Sequence, residues 1–260
     1  MNRGVQQARG QLLLFTDADC EPFPGWVEQM MAPFADPEIV GVKGSYRTRQ
    51  LSLVARFAQA EYEEKYARRR WMRQIDFIDI YAAAYRRDVF LTQGGFNAEL
   101  LRNQDQEFSF RLARAGYKLV FAPQALLYHQ HPTTVWCYAW RKVRIGRWKV
   151  RIHALHPSKA FRDSYTPWTQ KAQIVFVPVV SLAVAAAVLG LIPWSVAAIP
   201  AVLDFITCAP LMINATRHGW QVVLLAPLFA CVRALALGLG ITWGLLSWGL
   251  LGHVRQAVSR

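Results

Sequence analysis

The run Leu12-Leu13-Leu14-Phe15 passes directly into Thr16-Asp17-Ala18-Asp19. A short, nearly continuous apolar stretch such as residues 11–16 reads as a strand covered on both faces. Two carboxylates spaced by one residue at its end point to one side, because strand side chains alternate. Hard oxygen ligands converging in this way suit Mg²⁺ or Mn²⁺, ions usually shared with substrate phosphates. An Asp-x-Asp pair after a strand also caps helices, so its reading depends on the rest of the chain.

Working outward, residues 1–135 alternate between α and β signals. The turn at residues 21–25 leads into a helical spacing of Trp26, Met30 and Phe34, and residues 39–43 form a second strand candidate. Residues 51–73 read as a long helix ending in Arg68-Arg69-Arg70, and residues 78–85 as a strand followed by Arg86-Arg87-Asp88 and the Gly94-Gly95 turn. Residues 103–115 read as a helix stopped by Gly116, with Asn103 and Gln106 spaced as in a capping box. Residues 118–121 and 125–128 read as two short strands separated by Pro123. The expected fold class is therefore α/β.

Charge is segregated along the 260 residues, which carry a net +13 and are 53% hydrophobic. Between residues 172 and 254 the only Asp, Glu, Lys or Arg residues are Asp204, Arg217 and Arg233. A helix needs about 20 apolar residues to cross a bilayer. Residues 173–192 and 194–213 each meet that length, and residues 221–251 form either one tilted span or a re-entrant piece followed by a span, so three to four transmembrane helices are expected. Asp204, inside the second, should face protein or water. Residues 136–171 are a basic, aromatic segment suited to anionic headgroups, with membrane lipid as a partner. Lys159, Arg162 and Lys171 flank the first span and place the N-terminal half in the cytoplasm. Met1-Asn2-Arg3-Gly4 lacks the apolar core of a signal peptide. Cys20, Cys137, Cys208 and Cys231 have no metal-ligand spacing and fit a reducing compartment. The basic surplus points to anionic lipid or phosphorylated substrates, and without zinc-finger or RNA-binding signatures not to nucleic acid.

The ordered set formed by Asp17-Ala18-Asp19, Arg86-Arg87, Gly94-Gly95-Phe96-Asn97, Gln104-Asp105 and the Arg111-to-Tyr117 helix end resembles the inverting family-2 nucleotide-sugar glycosyltransferases of GT-A fold. The opening Asn2-x-Gly4 and Ala8-x-Gly10 also match, and the likeness covers roughly residues 1–150. With Arg144-x-x-Arg147-Trp148 and the spans that follow, the chain is similar to the membrane-bound branch that builds exopolysaccharides and glycolipids. The resemblance implies a partial GT-A (Rossmann-like) domain followed by C-terminal transmembrane helices, in a multi-pass protein of the cytoplasmic (inner) membrane with its catalytic part in the cytoplasm. It implies that Asp17 and Asp19, with Glu21 as a further candidate ligand, hold Mn or Mg on a nucleotide-sugar donor. Asp105 would be the catalytic base toward a lipid-linked or saccharide acceptor. Gln104, Arg144, Arg147 and Trp148 would bind donor or acceptor.

Two departures shape the expectation. Processive synthases carry Gln where Arg144 stands, so processive synthesis is not expected. Family members begin with a further strand–helix portion that holds the nucleotide base, and none precedes Asn2, which implies a truncated chain. The alternatives are a non-catalytic, membrane-anchored partner of polysaccharide machinery and a nucleotidyltransferase; the latter would need a phosphate-cradling glycine-rich start that this sequence lacks.

Overall fold

The computed structural model describes residues 1–160 and 162–258, with residues 249–258 described by their backbone alone. It divides into two compact units that are not contiguous in sequence. The first comprises Met1–Leu51, Lys65–His131 and Ile152–Tyr165; the second comprises Ser52–Glu64, Pro132–Arg151 and Thr166–Arg260.

In chain order the elements are α1 (Asn2–Gln7), β1 (Leu12–Phe15), β2 (Cys20–Pro22), α2 (Trp26–Met31), β3 (Ile39–Arg47), α3 (Leu53–Arg69), β4 (Ala83–Arg86), α4 (Arg87–Thr92), α5 (Gln104–Arg114), β5 (Lys118–His129), α6 (Val135–Leu155), α7 (Trp168–Val188), α8 (Trp194–Thr207), α9 (Ala209–Ala215) and α10 (Trp220–Val258).

The first unit is built on a mixed sheet in the order β1-β4-β3-β5-β2. Only β3 and β5 run parallel; the other pairings are antiparallel. The apolar β1, expected to be covered on both faces, is an edge strand that pairs with β4 alone, with Leu13 buried and Leu12, Leu14 and Phe15 partly exposed. The two strands expected around Pro123 are one strand, and the irregularity falls where Lys43 pairs with Phe121 while Ser45 pairs with Leu126. Pro123 lies in that skipped stretch, where no ladder hydrogen bond is required of it. The strand expected over residues 78–85 begins only at Ala83, preceded by a 3₁₀ turn at Ile80–Ala82.

Strands β1 and β2 lie on opposite edges of the sheet, yet only residues 16–19 separate them. Four flat inter-strand spacings would require about 19 Å. Five extended residue steps reach at most about 17 Å, and the backbone turn closed by Cys20 N donating to the Asp17 carbonyl (3.1 Å) shortens that reach. The sheet must therefore curl, and the Asp17–Cys20 turn closes across the end where β1, β3 and β5 finish. One face of the sheet carries a core of Leu13, Val40, Ile78, Tyr85, Phe90, Phe96, Phe108 and Leu119. Its aromatic rings meet edge-on or tilted, as with Phe90 and Phe108 at 4.7 Å between centroids, a preferred geometry for paired quadrupoles.

In the second unit, Trp168–Val188 and Trp220–Trp248 are long and apolar enough to cross a bilayer, and Trp194–Thr207 with Ala209–His218, bent by 44°, makes a third if counted as one span. Residues 221–251, which left two readings open, lie in the continuous helix α10, with Pro227 inside it. Helix α6 packs closely on α10 through glycine. A Cβ on Gly146 would sit 2.5 Å from the Leu237 carbonyl oxygen, and one on Gly244 2.7 Å from that of Arg147. Residues Val54, Phe57, Ala58 and Ala60 of α3 share a core with Tyr138, Leu211, Val222, Ala226 and Phe229. Beside them Glu61 accepts hydrogen bonds from Arg233 Nη1 (2.7 Å), Lys142 Nζ (2.9 Å) and the Tyr138 hydroxyl (2.9 Å), while Arg233 Nη2 donates to Gln173 Oε1 (2.6 Å). Arginine inside an apolar helix is thereby neutralised by an acid 172 residues earlier in the chain, as burial of a charge requires. Asp204 is buried, with Cys231 Sγ 3.9 Å from its carboxylate.

Candidate active site

Helix α5 begins after Asn103, the one described non-glycine residue at positive φ (58°). In that conformation its side chain does not cap the helix but donates to Gln106 Oε1 (3.4 Å). The expected capping box is therefore replaced by Asp105 itself, whose Oδ1 accepts from Gln106 N (2.9 Å). Its Oδ2 accepts from Ile80 N (3.3 Å), joining the helix start to the 3₁₀ turn. Ser109, one helical turn on, accepts from Ile78 N (3.0 Å) and donates to the Asp105 carbonyl (2.7 Å). These bonds fix the carboxylate without neutralising it. Burial pushes the Asp105 carboxyl up to about 7, the neighbouring Asp79 charge adds to the rise, and the N–H groups of Gln106 and Ile80 oppose it. A carboxylate in that range is suited to accept a proton near neutral pH.

Two residues absent from the sequence expectations stand beside it. Lys43, fully buried in β3, lies 3.0 Å from Asp79 Oδ1 and donates to the Tyr46 hydroxyl (2.6 Å) and the Gly44 carbonyl (2.8 Å). Burial lowers its ammonium to about 8 against the opposing pull of Asp79. The signal that could have found the pair is a lysine inside the apolar run Ile39-Val40-Gly41-Val42 and an aspartate inside Phe77-Ile78-Asp79-Ile80.

Asp17 is half-buried and Asp19 exposed. They stand on the Asp17–Cys20 turn rather than in β1, so the turn sets their relation and not strand alternation. That turn and Asp105 lie at the same end of the sheet. Phe15 is opposite Ala83, just past the Ile80–Ala82 turn that Asp105 binds. Cys20 is opposite His129, whose ring is 4.3 Å from Tyr81 in that turn. Glu21 is engaged by Arg49 (2.9 Å), whose guanidinium also covers the Tyr128 ring at 3.7 Å. Gln104 donates its amide to the Leu100 carbonyl. Glu107 and Arg111 form an ion pair (2.9 Å), and Arg111 also donates to the Gly95 carbonyl (2.7 Å), which ties the Gly94-Gly95 turn to α5.

Arg144, Arg147 and Trp148 belong to the second unit. Arg144 is exposed. The Arg147 guanidinium lies 4.0 Å over the Trp243 ring, and Trp148 packs 5.2 Å from Trp248, so both face aromatic residues of α10.

Residues 1–147 match the family described as Glycosyltransferase like family 2. The chain belongs to that family. Among curated proteins, this glycosyltransferase family member is 26% identical over 168 residues to a pre-mycofactocin glycosyltransferase of Mycobacterium tuberculosis, covering 61% of this chain and 35% of that protein. It is 24% identical over 161 residues to glycosyltransferase AglE of Haloferax volcanii, covering 59% of this chain and 50% of that one. The chain thus spans a third to a half of the length of these curated relatives. Among solved structures, the mannosyltransferase PcManGT of Pyrobaculum calidifontis, in complex with GDP-Man and Mn2+, superposes with a TM-score of 0.52 at 21% identity, over 93% of this chain and 65% of that one. That likeness shows the GT-A fold.

The carboxylates of Asp17 and Asp19 suit a divalent ion only in part. No group of three or more His, Cys, Asp or Glu side chains among the described residues is placed to enclose a metal. Two carboxylates on an open turn fit an ion that completes its shell with substrate phosphate and water, the usual habit of Mg²⁺.

Proposed function

We propose that this chain carries the transfer of a sugar from a nucleotide-diphosphate donor to a lipid-linked or polysaccharide acceptor, with inversion, at the cytoplasmic face of the inner membrane. The observation that carries the reading is Asp105: a fixed carboxylate of raised basicity at the sheet end that also bears the Asp17–Cys20 turn. The apolar helices of the second unit support a membrane setting, and the GDP-Man and Mn2+ bound to a protein of the same fold support the donor class.

In this reading Asp105 accepts the proton of an acceptor hydroxyl as its oxygen attacks the anomeric carbon. The bond from that carbon to the diphosphate breaks, the diphosphate leaves with the electron pair, and a single in-line displacement inverts the configuration. Asp17 and Asp19 would hold a divalent cation, which when bound supplies positive charge to the departing diphosphate. Arg147 and Trp148, already stacked on α10, would offer a cation and a flat ring to acceptor or donor, and Arg144 and Gln104 would serve the same role.

The test is nucleoside diphosphate release by the full chain in detergent with Mn²⁺, GDP-mannose or UDP-sugars, and membrane lipid extract as acceptor source. Asp105→Asn should lower the rate by about 10²–10⁴-fold. Transfer by that variant at the unmutated rate would refute the catalytic assignment.

A further inference from the structure

A buried lysine beside a catalytic carboxylate presents a chemical problem. An ammonium and a carboxylate that share a dry site form an ion pair, and a carboxylate in such a pair is held ionised and is a poor proton acceptor. Lys43 lies within electrostatic reach of Asp105, yet the two are not bonded. The Lys43 ammonium is instead turned to Asp79 at 3.0 Å and held there by the Tyr46 hydroxyl and the Gly44 carbonyl. Asp79 immediately precedes Ile80, the residue whose N–H binds Asp105. The Tyr46 ring completes the holder, 3.8 Å under the ammonium.

Among the described residues, no other cation is bonded to Asp105 either. From β4 comes Tyr85, a buried phenol whose ionisation burial disfavours. On its own helix, Glu107 is committed to Arg111. Arg69, whose charge acts on Lys43, donates to the Phe77 carbonyl (3.2 Å). Lys43 is the cation whose placement matters.

We propose, resting on the reading of Asp105 as the base, that Asp79 is a positioning residue: by taking the Lys43 ammonium as its own partner, it keeps that cation from pairing with Asp105 and disarming it. The chemistry has a signature in sign. Removing the Asp79 charge releases Lys43 toward Asp105 and makes Asp105 more acidic. Removing Lys43 leaves Asp79 and Asp105 as two carboxylates without a cation and makes Asp105 less acidic. A pair that served only as packing, with no charge effect on Asp105, would give neither shift.

The experiment reads Asp105 directly in the full chain. Dicyclohexylcarbodiimide adds to protonated carboxyl groups, and the pH dependence of labelling at Asp105 is followed by peptide mass spectrometry. The unmutated chain should lose labelling with a midpoint at about 7. In Asp79→Asn the midpoint should fall by about 1–3 units, the usual effect of a close opposite charge; in Lys43→Met it should rise. In the transfer assay, Asp79→Asn should lose about tenfold in kcat with donor KM within about twofold, and Asp79→Asn/Lys43→Met should recover rate relative to Asp79→Asn. An Asp79→Asn midpoint at or above the unmutated one, or a double variant slower than the single, would overturn the proposal. If Asp79→Asn does not fold, Lys43→Met decides alone, since a midpoint there that does not rise overturns it. Failure of the base assignment is read separately, by Asp105→Asn retaining transfer.

Discussion

Replacing Gly240 by alanine should destabilise the second unit, while the same change at Gly238, two residues away on α10, should not. A Cβ on Gly240 would lie 2.9 Å from the Val143 carbonyl carbon, 3.0 Å from Arg147 N, and closer still to the Val143 oxygen. Carbon atoms in contact prefer about 3.5–4.0 Å, so α6 would have to withdraw by at least about 0.6 Å, and a gap of that size forfeits about a quarter to a half of each contact it opens. Overpacking of this kind costs about 1–3 kcal/mol, against a gain of about 0.5–1 kcal/mol for alanine over glycine in a helix. A Cβ on Gly238 meets nothing within 4 Å, which leaves only the gain. The assay is thermal unfolding of the purified chain in one detergent, with monodisperse yield as a second readout. Gly240→Ala should melt below the unmutated chain and Gly238→Ala at or above it. Equal melting of the two variants would refute the reasoning, because it would mean that α6 and α10 do not meet backbone to backbone at Gly240.

Three further outcomes follow from other contacts. Asp105 is raised to about 7 by folding from an ordinary value of 3.8, so the folded state binds the proton more tightly and stability falls as pH rises through that window; Asp105→Asn should therefore melt higher than the unmutated chain at pH 8, with the difference vanishing toward pH 4. Glu61→Gln leaves Arg233 and Lys142 without their shared carboxylate and should lose about 3–5 kcal/mol, seen as loss of folded yield, with Glu61→Gln/Arg233→Met recovering part of it. Asp76 accepts from Ser164 N (2.8 Å) and Lys159 Nζ (2.7 Å), so Asp76→Ala should release the 152–165 segment of the first unit and open new cleavage there in limited proteolysis.

The sequence by itself settled what depends on near neighbours. The apolar run of β1, the spacing of Trp26, Met30 and Phe34, the Gly116 stop and the long charge-poor tail were all legible, because helix and strand periods and bilayer length are local properties. The order of the acidic and glycine motifs was enough to point to the family that residues 1–147 match. The tertiary structure alone decided who partners whom. It placed β1 on an edge and curled the sheet so that the Asp17–Cys20 turn reached the end where Asp105 sits. It gave Lys43 to Asp79 and Arg233 to Glu61, and it assigned Ser52–Glu64 to the second unit although the helix reads as one element. Periodicity tells which face of an element must be covered but not which distant residue covers it. A buried charge is tolerated only where a partner of opposite sign is already in place, and that placement exists only once the chain has folded.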